Sequence, residues 1–268
     1  MSAQGDSGAG WGVRASSLVV ITGAAGRLGT YLRSSLDELA VTARLVDIVE
    51  LPGATVDEPV EIYKGSVTDP ELLDRACEGA DAIVHLAGFA GDAPWPDLSQ
   101  VNVGGTREVL EAARRHRVRR LVVASSNHAV GFHVRGAEPL ADDVAPRPDS
   151  LYGVSKAAAE ALCQYYSVKF AMDVVCLRIG SCFEVPQNQR MLSTWLSPGD
   201  FVRLVKASLT SSRPGFQLVW GVSANTRRWW STAGGDAIGF HPLDNAERFA
   251  ELYPGTSPEP EYVGGTAI

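Results

Sequence analysis

Two tyrosines in this chain precede a lysine by four residues: Tyr152 with Lys156, and Tyr165 with Lys169. On an α-helix, residues at i and i+4 lie on one face, so each pair places a phenol beside an ammonium group. A phenol with a pKa near about 10 is a poor base at neutral pH, but a nearby positive charge stabilises its phenolate. Either pair therefore has the chemistry to remove a proton from a hydroxyl group.

Position along the predicted helix over 150–170 distinguishes the two pairs. A helix that follows a parallel strand begins at the carboxyl edge of the sheet, where such folds bind ligands. Tyr152 lies in the first turn of this helix, whereas Tyr165 lies roughly 20 Å further along it and faces roughly the opposite side. We therefore expect Tyr152 to be the catalytic base, Lys156 to be its activator, and Tyr165 to be a packing residue.

Two other polar residues complete the predicted catalytic set. Ser126 ends the apolar run R-L-V-V-A-S-S (120–126), and its hydroxyl would orient the reacting oxygen toward Tyr152. Asn102, in V-N-V-G-G-T, would support a proton relay by holding a water molecule or a backbone group near Lys156. For this asparagine alone, capping of a helix is an equally good interpretation.

A glycine motif, T-G-A-A-G-R-L-G, separates the first predicted strand from the first predicted helix and contains Gly23, Gly26 and Gly29. A turn without Cβ atoms lets a pyrophosphate approach the backbone amides at the helix N-terminus. A tight turn without a ligand is the alternative. Asp47 favours the dinucleotide, because a carboxylate at the end of the second strand accepts from ribose hydroxyls and repels a 2′-phosphate. NAD is thus predicted over NADP, although Arg27 offers a charge for an extra phosphate.

The elements that must position these residues follow from alternating strand and helix patterns. Such alternation predicts a doubly wound parallel α/β sheet of the Rossmann type. The predicted regions are a flexible tail over 1–14, a dinucleotide-binding core over 15–180, and a small C-terminal substrate-capping region over 181–268 with interleaved core elements. Strands are predicted over 17–22, 43–48, 60–65, 81–88, 120–126, 173–180 and 216–221, and helices over 27–39, 70–78, 98–116, 150–170, 199–209 and 244–252.

Composition excludes several classes of protein. The net charge of −7 in 268 residues gives no general attraction to nucleic acid or to anionic membranes. The basic run A-R-R-H-R-V-R-R (113–120) is predicted to be a solvated helix end. Four cysteines without C-x-x-C spacing indicate reduced thiols, and no signal peptide is visible. We expect a cytoplasmic protein with a small-molecule substrate, no metal, no nucleic acid and no membrane contact.

The glycine loop, Asn102, Ser126 and Y-G-V-S-K (152–156) together resemble the extended short-chain dehydrogenases. More discriminating stretches resemble the bacterial uronate dehydrogenases and run through most of the chain: S-S-N-H-A-V-G (125–131), R-P-D-S-L-Y-G-V-S-K (147–156), R-I-G-S-C (178–182), R-M-L-S-T-W (190–195), V-W-G-V-S-A-N (219–225) and D-N-A-E (244–247). Members of that family oxidise the anomeric carbon of galacturonate or glucuronate with NAD to an aldarolactone. The resemblance also implies a homo-oligomer.

The resemblance implies a role for each matching residue. Ser126, Asn127 and His128 would contact sugar hydroxyls, Ser181 would contact the substrate or the nicotinamide, and Arg190 would hold the carboxylate with its planar, paired donors. For Arg190 alone a solvated loop arginine, and for His128 alone a satisfied interior histidine, are the alternatives. The implied cofactor contacts, besides the residues already named, are Leu28, Ile48, Ser66, Val67, Ala87, Gly88 and Phe89.

Two residues depart from the family pattern. Ala90 stands where a serine that touches the substrate is expected, and Ser66 stands where extended members commonly carry an aspartate that reads adenine. Both departures bear on affinity and substrate preference more than on the class of reaction. Two other functions stay open: a nucleotide-sugar epimerase or dehydratase with the same catalytic residues, and a catalytically silent dinucleotide sensor. Retention of Ser126, Tyr152 and Lys156 favours an enzyme.

Overall fold

A computed structural model describes residues 17–254 and 261–265 of the chain. The predicted tail over 1–14 lies outside the described residues. Within them the strands are β1 (Ser17–Thr22), β2 (Val41–Asp47), β3 (Val60–Lys64), β4 (Ala82–His85), β5 (Arg120–Ser126), β6 (Asp173–Ile179), β7 (Ser181–Cys182), β8 (Trp195–Leu196) and β9 (Phe216–Gly221). Seven of them form one parallel sheet in the order β3-β2-β1-β4-β5-β6-β9, and β7 pairs with β8.

Helices cover both faces of this sheet. They are α1 (Arg27–Arg33), α2 (Leu36–Leu39), α3 (Pro70–Cys77), α4 (Trp95–Asp97), α5 (Thr106–Arg115), α6 (Leu151–Phe170), α7 (Met191–Thr194), α8 (Pro198–Thr210) and α9 (Ala233–Ile238). A π-helix over Leu98–Gly105 joins α4 to α5, and 3-10 helices span Asn127–Val130 and Ala246–Leu252. In the described part of the chain, no helix is both long enough and apolar enough to span a membrane.

Two apolar clusters, one on each face of the sheet, form the core. Along β1, Val19 and Ile21 belong to one cluster and Val20 to the other. Side chains of successive strand residues point to opposite faces, and burial of both sets is typical of parallel sheets covered by helices. The chain reverses its direction of winding between β1 and β4, which places a crevice at the carboxyl ends of these strands.

The predicted doubly wound sheet is confirmed, and all seven predicted strands are present. Three helix predictions were wrong in detail. The segment predicted as one helix over 27–39 breaks between α1 and α2, the start of the segment over 98–116 is a π-helix, and the segment over 244–252 is a 3-10 helix. The short helices α7 and α9 were not predicted, because neither is long enough to show a helical period.

The C-terminal part of the chain contributes both to the main sheet and to a separate apolar cluster. Strand β9 pairs with β6 in the main sheet. Trp220, Trp229 and Trp230 form a buried cluster with Val130 and Val263, and the rings of Trp229 and Trp230 stack at a centroid distance of 4.8 Å. The cluster therefore fastens residues near the C-terminus to the segment that follows β5.

The prediction for the basic run over 113–120 was wrong at its last residue. Arg120 begins β5 and is only 5 % exposed. Its guanidinium donates to the carbonyl of Ser211 at 2.6 Å and lies 3.8 Å from the carboxylate of Asp173. Strand register therefore takes an arginine inward where composition alone predicts a solvated one.

The four cysteines are unpaired and buried.

Candidate active site

A cleft of about 340 Å³ opens at the carboxyl ends of β1, β2 and β4. The glycine turn forms its floor. Gly23 has a φ of +72°, and a Cβ there would lie 2.6 Å from the backbone nitrogen of Ala87. Gly29 does not line the cleft; a Cβ on it would lie 2.5 Å from the Cα of Ala24, so this glycine lets α1 pack closely on the turn. The motif therefore leaves open backbone where a dinucleotide needs it.

The Asp47 carboxylate lies at one end of this cleft, where β2 stops. One of its oxygens accepts from the amide of Ala25 at 2.8 Å and the other from the amide of Val49 at 2.9 Å. These bonds fix the carboxylate beside the glycine turn. The predicted cofactor residues that line this cleft are Gly23, Gly26, Asp47, Ile48, Ser66, Val67, Ala87, Gly88 and Phe89. The combination of an open glycine turn and a fixed carboxylate fits the adenosine half of NAD.

Arg27 points away from Asp47. Its guanidinium lies 3.9 Å from the centroid of the Phe183 ring and donates to the carbonyl of Cys182 at 3.0 Å. It lines a second cavity rather than the cleft that contains Asp47. A 2′-phosphate on an adenosine ribose beside Asp47 would therefore not meet the Arg27 charge in this arrangement, which removes the sequence argument for NADP.

The second cavity, of about 360 Å³, adjoins the first and shares Gly23, Gly26, Gly88 and Phe89 with it. It lies at the carboxyl ends of β5 and β6, beside the first turns of α6. The structure thus brings most of the predicted catalytic and substrate residues into one space that continues from the glycine turn. Those lining it are Arg27, Leu28, Ala90, Ser126, His128, Tyr152, Lys156 and Ser181.

Burial dominates the electrostatics of Tyr152 and Lys156. It lowers the pKa of Lys156 to about 8, and it raises the pKa of Tyr152, which a hydrogen bond with Ser126 partly offsets. The Lys156 Nζ donates to the Ala124 carbonyl at 2.8 Å and lies 5.7 Å from the centroid of the Tyr152 ring. Because each charge is costly alone in this setting, a phenolate on Tyr152 is favoured when Lys156 carries its proton.

Asn102 acts as a clamp on the loop after β4. Its side-chain oxygen accepts from the Phe89 amide at 2.8 Å, and its side-chain nitrogen donates to Ser155 Oγ at 2.9 Å. The loop passes so close that a Cβ on Gly88 would lie 2.6 Å from Asn102 Oδ1 and 3.9 Å from Lys156 Nζ. Asn102 thus holds a backbone group near Lys156 from within the π-helix, and it does not cap a helix.

Asn127 and Arg190 do not line the second cavity, although Ser126, which does, donates to Asn127 Oδ1 at 3.3 Å. Asn127 Nδ2 and an Arg190 guanidinium nitrogen both donate to the carbonyl of Val263, at 3.2 and 2.6 Å. The Arg190 Nε is buried without a hydrogen-bond partner in the described part of the chain, and burial lowers the pKa of this arginine. Arg190 is therefore a desolvated cation with an unused donor, not a solvated loop residue.

Ser181 and the two departures from the family pattern have distinct surroundings. The Ser181 hydroxyl lies 3.0 Å from Thr194 Oγ1 and lines the second cavity. Ser66 Oγ accepts from the amide of Thr68 at 3.1 Å, so its hydroxyl is engaged in a local turn as well as lining the first cleft. Ala90 presents only a methyl group to the second cavity.

A buried ion pair that sequence reasoning missed joins α6 to β6. Glu160 and Arg178 are 4 % and 1 % exposed, and the guanidinium donates to both carboxylate oxygens at 2.9 and 2.8 Å. Ser125 Oγ donates to the same carboxylate at 2.6 Å. Glu160 follows Lys156 by four residues, so this pair fixes the helix face that bears the lysine. A glutamate inside an apolar helical face was the available signal.

The second tyrosine pair is remote from this space. Tyr165 is 54 % exposed, whereas Tyr152 is 8 % exposed. The Tyr165 ring contacts Tyr166 and Phe170 edge-on, at centroid distances of 5.5 and 6.2 Å. It packs within a surface cluster near the end of α6, which agrees with the predicted choice between the two pairs.

Comparisons with known proteins agree with this geometry. Residues 19–197 match the model of the NAD dependent epimerase/dehydratase family. A uronate dehydrogenase from Agrobacterium fabrum is 39 % identical, over 93 % of this chain and 96 % of its own. The structure superposes with a TM-score of 0.87 on an Agrobacterium tumefaciens uronate dehydrogenase variant complexed with NAD, at 38 % identity and coverage of 95 % and 97 %.

A third structure, a glucuronic acid dehydrogenase from Chromohalobacter salexigens, gives a TM-score of 0.87 at 37 % identity and covers 93 % of this chain and 95 % of its own. These likenesses each cover more than nine-tenths of this chain. The chain therefore belongs to the NAD dependent epimerase/dehydratase family and, within it, to the uronate dehydrogenases, a group of NAD-dependent oxidoreductases.

Proposed function

We propose that this enzyme oxidises a hexuronate, galacturonate or glucuronate, at the anomeric carbon to the aldarolactone, with Tyr152 as the base. The observation that carries this proposal is the meeting of Tyr152, Lys156 and Ser126 in one cavity that continues into the glycine cleft. A substrate hydroxyl in that cavity lies beside a proton acceptor and next to the space for a nicotinamide. The likeness to uronate dehydrogenases supports the choice of sugar.

The residues around the reacting oxygen divide the work. Tyr152 takes the proton of the anomeric hydroxyl, and the Lys156 ammonium stabilises the phenolate that must be present beforehand. Ser126 donates to or accepts from the same hydroxyl and orients it toward the phenol. Asn102 acts indirectly, because its hydrogen bond to the Phe89 amide keeps the loop of Gly88 against Lys156.

Residues of the first cleft would hold NAD. Asp47 would accept from the adenosine ribose hydroxyls, and the turn from Gly23 to Gly26 would receive the pyrophosphate. Leu28, Ile48, Ser66, Val67, Ala87 and Phe89 would complete the contacts along the cofactor, with Ser181 near its nicotinamide end. The bound cofactor supplies the acceptor for the hydride that leaves the anomeric carbon.

Residues from the C-terminal half would recognise the sugar acid. Arg190 carries a charge that burial desolvates, and the likeness to the uronate dehydrogenases supports it as the partner of the substrate carboxylate. Asn127, bound to the same Val263 carbonyl, and His128 would contact sugar hydroxyls beside it, as would Ser181. Ala90, in place of a serine, would contribute no side-chain hydrogen bond to the sugar.

The test is to follow the absorbance of NADH while galacturonate, glucuronate, neutral aldoses and nucleotide-sugars are offered in turn. The proposal predicts NADH formation with one or both uronates and little with the others. A nucleotide-sugar converted without net NADH would identify an epimerase or dehydratase instead. NAD binding without turnover of any sugar would identify a dinucleotide sensor. Both results would overturn the proposal.

A further inference from the structure

His128, in the segment after β5, brings a titratable ring to the second cavity, which Tyr152 and Lys156 also line. Its ring lies edge-on to that of Tyr152, at a centroid distance of 5.9 Å. A histidine beside a catalytic phenol presents a donor or an acceptor to substrate depending on which ring nitrogen carries the proton. The group that sets this choice therefore bears on substrate binding.

Asp149 is that group. Its two carboxylate oxygens lie 3.0 and 2.9 Å from His128 Nδ1. A carboxylate accepts hydrogen bonds and donates none, so the contact requires the proton on Nδ1. The His128 Nε2 has no hydrogen-bond partner among the described residues, and the ring is partly open to the cavity. In a neutral ring this leaves Nε2 with a free lone pair on the substrate side.

The structure around Asp149 holds its carboxylate in one place. Its side chain is only 4 % exposed. A Cβ on Gly131 would lie 2.1 Å from its Oδ2, and a Cβ on Gly264 would lie 1.5 Å from the same atom. The Gly264 amide donates to the Gly131 carbonyl at 2.9 Å, which joins these two glycines around the carboxylate. The Asp149 carboxylate thus occupies space that side chains at Gly131 and Gly264 would otherwise fill.

We propose that Asp149 is a positioning residue that fixes His128 in the Nδ1-protonated tautomer, so that Nε2 accepts a hydrogen bond from a sugar hydroxyl. This inference rests on the proposed function for the identity of the ligand. It assigns a role to a residue that touches neither the cavity nor the cofactor cleft. It also gives the segment around Gly264 a part in the site, as one wall of the slot that holds the carboxylate.

The first test needs no substrate. The protein has five histidines, and selective ¹⁵N labelling of their rings, with His128→Ala for assignment, shows which nitrogen of His128 carries the proton. At about pH 8, above the ordinary histidine pKa of about 6.5, we expect the proton on Nδ1. Asp149→Ala should shift the population toward the Nε2-protonated form. A wild-type ring protonated on Nε2 would overturn the inference whatever the substrate.

The second test separates positioning from a merely structural role. With the uronate that the enzyme oxidises, Asp149→Ala should lower kcat/KM roughly tenfold when His128 is present and by less than about twofold in the His128→Ala background. The KM for NAD should not change. Equal losses in both backgrounds would show that Asp149 acts through the packing around Gly131 and Gly264 or through the charge of Arg190, with which it interacts, and would contradict the proposal.

A matched control is available elsewhere in the chain. Asp236 lies 3.3 Å from His241 Nδ1 in a contact that is mostly exposed, so Asp236→Ala removes an aspartate from a histidine without touching the cleft. Its kinetics should equal those of the wild type. If the wild type oxidised no uronate, the proposed function would fail, and the labelling experiment would still decide the tautomer of His128.

Discussion

The first cleft and the second cavity adjoin and form two halves of one larger cleft, and different parts of the chain line them: mainly backbone in the first half and mainly side chains in the second. The half over β1, β2 and β4 consists largely of backbone: the glycine turn, the loop of Gly88, and one carboxylate, Asp47, fixed by two amides. The half over β5 and β6 consists of side chains. Outside the wall of that cavity, Asn127 and Arg190 both donate to the carbonyl of Val263, which lies more than seventy residues along the chain from Arg190.

The difference reflects what each half has to recognise. A pyrophosphate is read by amides at a turn, and a short run of sequence builds that turn. A sugar acid is distinguished from its parent aldose by one carboxylate and by the positions of hydroxyl groups, which need separate side chains aimed from several directions. Damage to either half should therefore have a separate kinetic signature, and the residues where the halves meet should affect chemistry alone.

The largest effect is expected where the two halves meet. Tyr152→Phe removes the proton acceptor and little else, so kcat should fall by roughly 10²- to 10⁴-fold while NAD affinity, measured by fluorescence titration, stays close to that of the wild type. Tyr165→Phe is the matched control, since Tyr165 has the same i+4 lysine but is 54 % exposed. Equal damage from both substitutions in folded protein would mean that the wrong tyrosine pair has been chosen.

The next effect concerns the buried ion pair between Glu160 and Arg178. Glu160→Gln leaves the Arg178 charge buried without its counter-ion, and we expect the free energy of unfolding to fall by about 3 kcal/mol. Chemical denaturation measures this. Glu61→Gln breaks an Arg44 pair whose carboxylate side chain is 60 % exposed, and should cost less than about 1 kcal/mol. Similar losses from the two variants would show that burial of the Glu160 pair has no special weight.

Arg190 should affect the substrate half alone. Arg190→Ala removes charge-assisted donors, and kcat/KM for galacturonate should fall roughly 10- to 100-fold, with a much smaller change in the KM for NAD. Arg190→Lys should recover little, because an ammonium lacks the planar, paired donors. Galactose has no carboxylate and should respond weakly. An Arg190→Ala enzyme with its full preference for galacturonate over galactose would remove Arg190 from the site.

The smallest effect should belong to the cofactor half. Asp47→Ala removes a ribose acceptor and a charge that repels a 2′-phosphate, so the ratio of kcat/KM for NAD to that for NADP should narrow by roughly tenfold. The kcat at saturating NAD should change little. Wild-type protein that used NADP better than NAD would contradict this assignment and return attention to Arg27, which here lies against Phe183.

How much of this molecule the sequence predicted follows the same division. The strands and the glycine turn were predictable because their signals are local: β-branched runs, a three-glycine spacing, and an aspartate at a strand end. The burial of Tyr152 and the exposure of Tyr165 were also predictable, since position within one helix decides them. The π-helix that carries Asn102 was not, because its register depends on contacts with Phe89 and Ser155 from other parts of the chain.

The less predictable features all depend on contacts between distant segments. Glu160 and Arg178 pair across a helix and a strand, and Arg120 turns inward at the start of β5. Asp149 fits between glycines 131 and 264, which share no local pattern. Arg190 was predicted from family resemblance, and its desolvated state with a free Nε is visible only once Val263 is placed beside it.

The central claim is oxidation of a hexuronate at its anomeric carbon by the joined halves of this cleft. The most direct measurement follows galacturonate and glucuronate labelled with ¹³C at C1 by NMR while NADH is recorded. We predict that the C1 signal of at least one uronate moves from the hemiacetal region to that of a lactone carbonyl, with one NADH formed per labelled carbon converted. Conversion at another carbon, or an unchanged C1 signal for both uronates with folded, NAD-binding protein, would contradict the account.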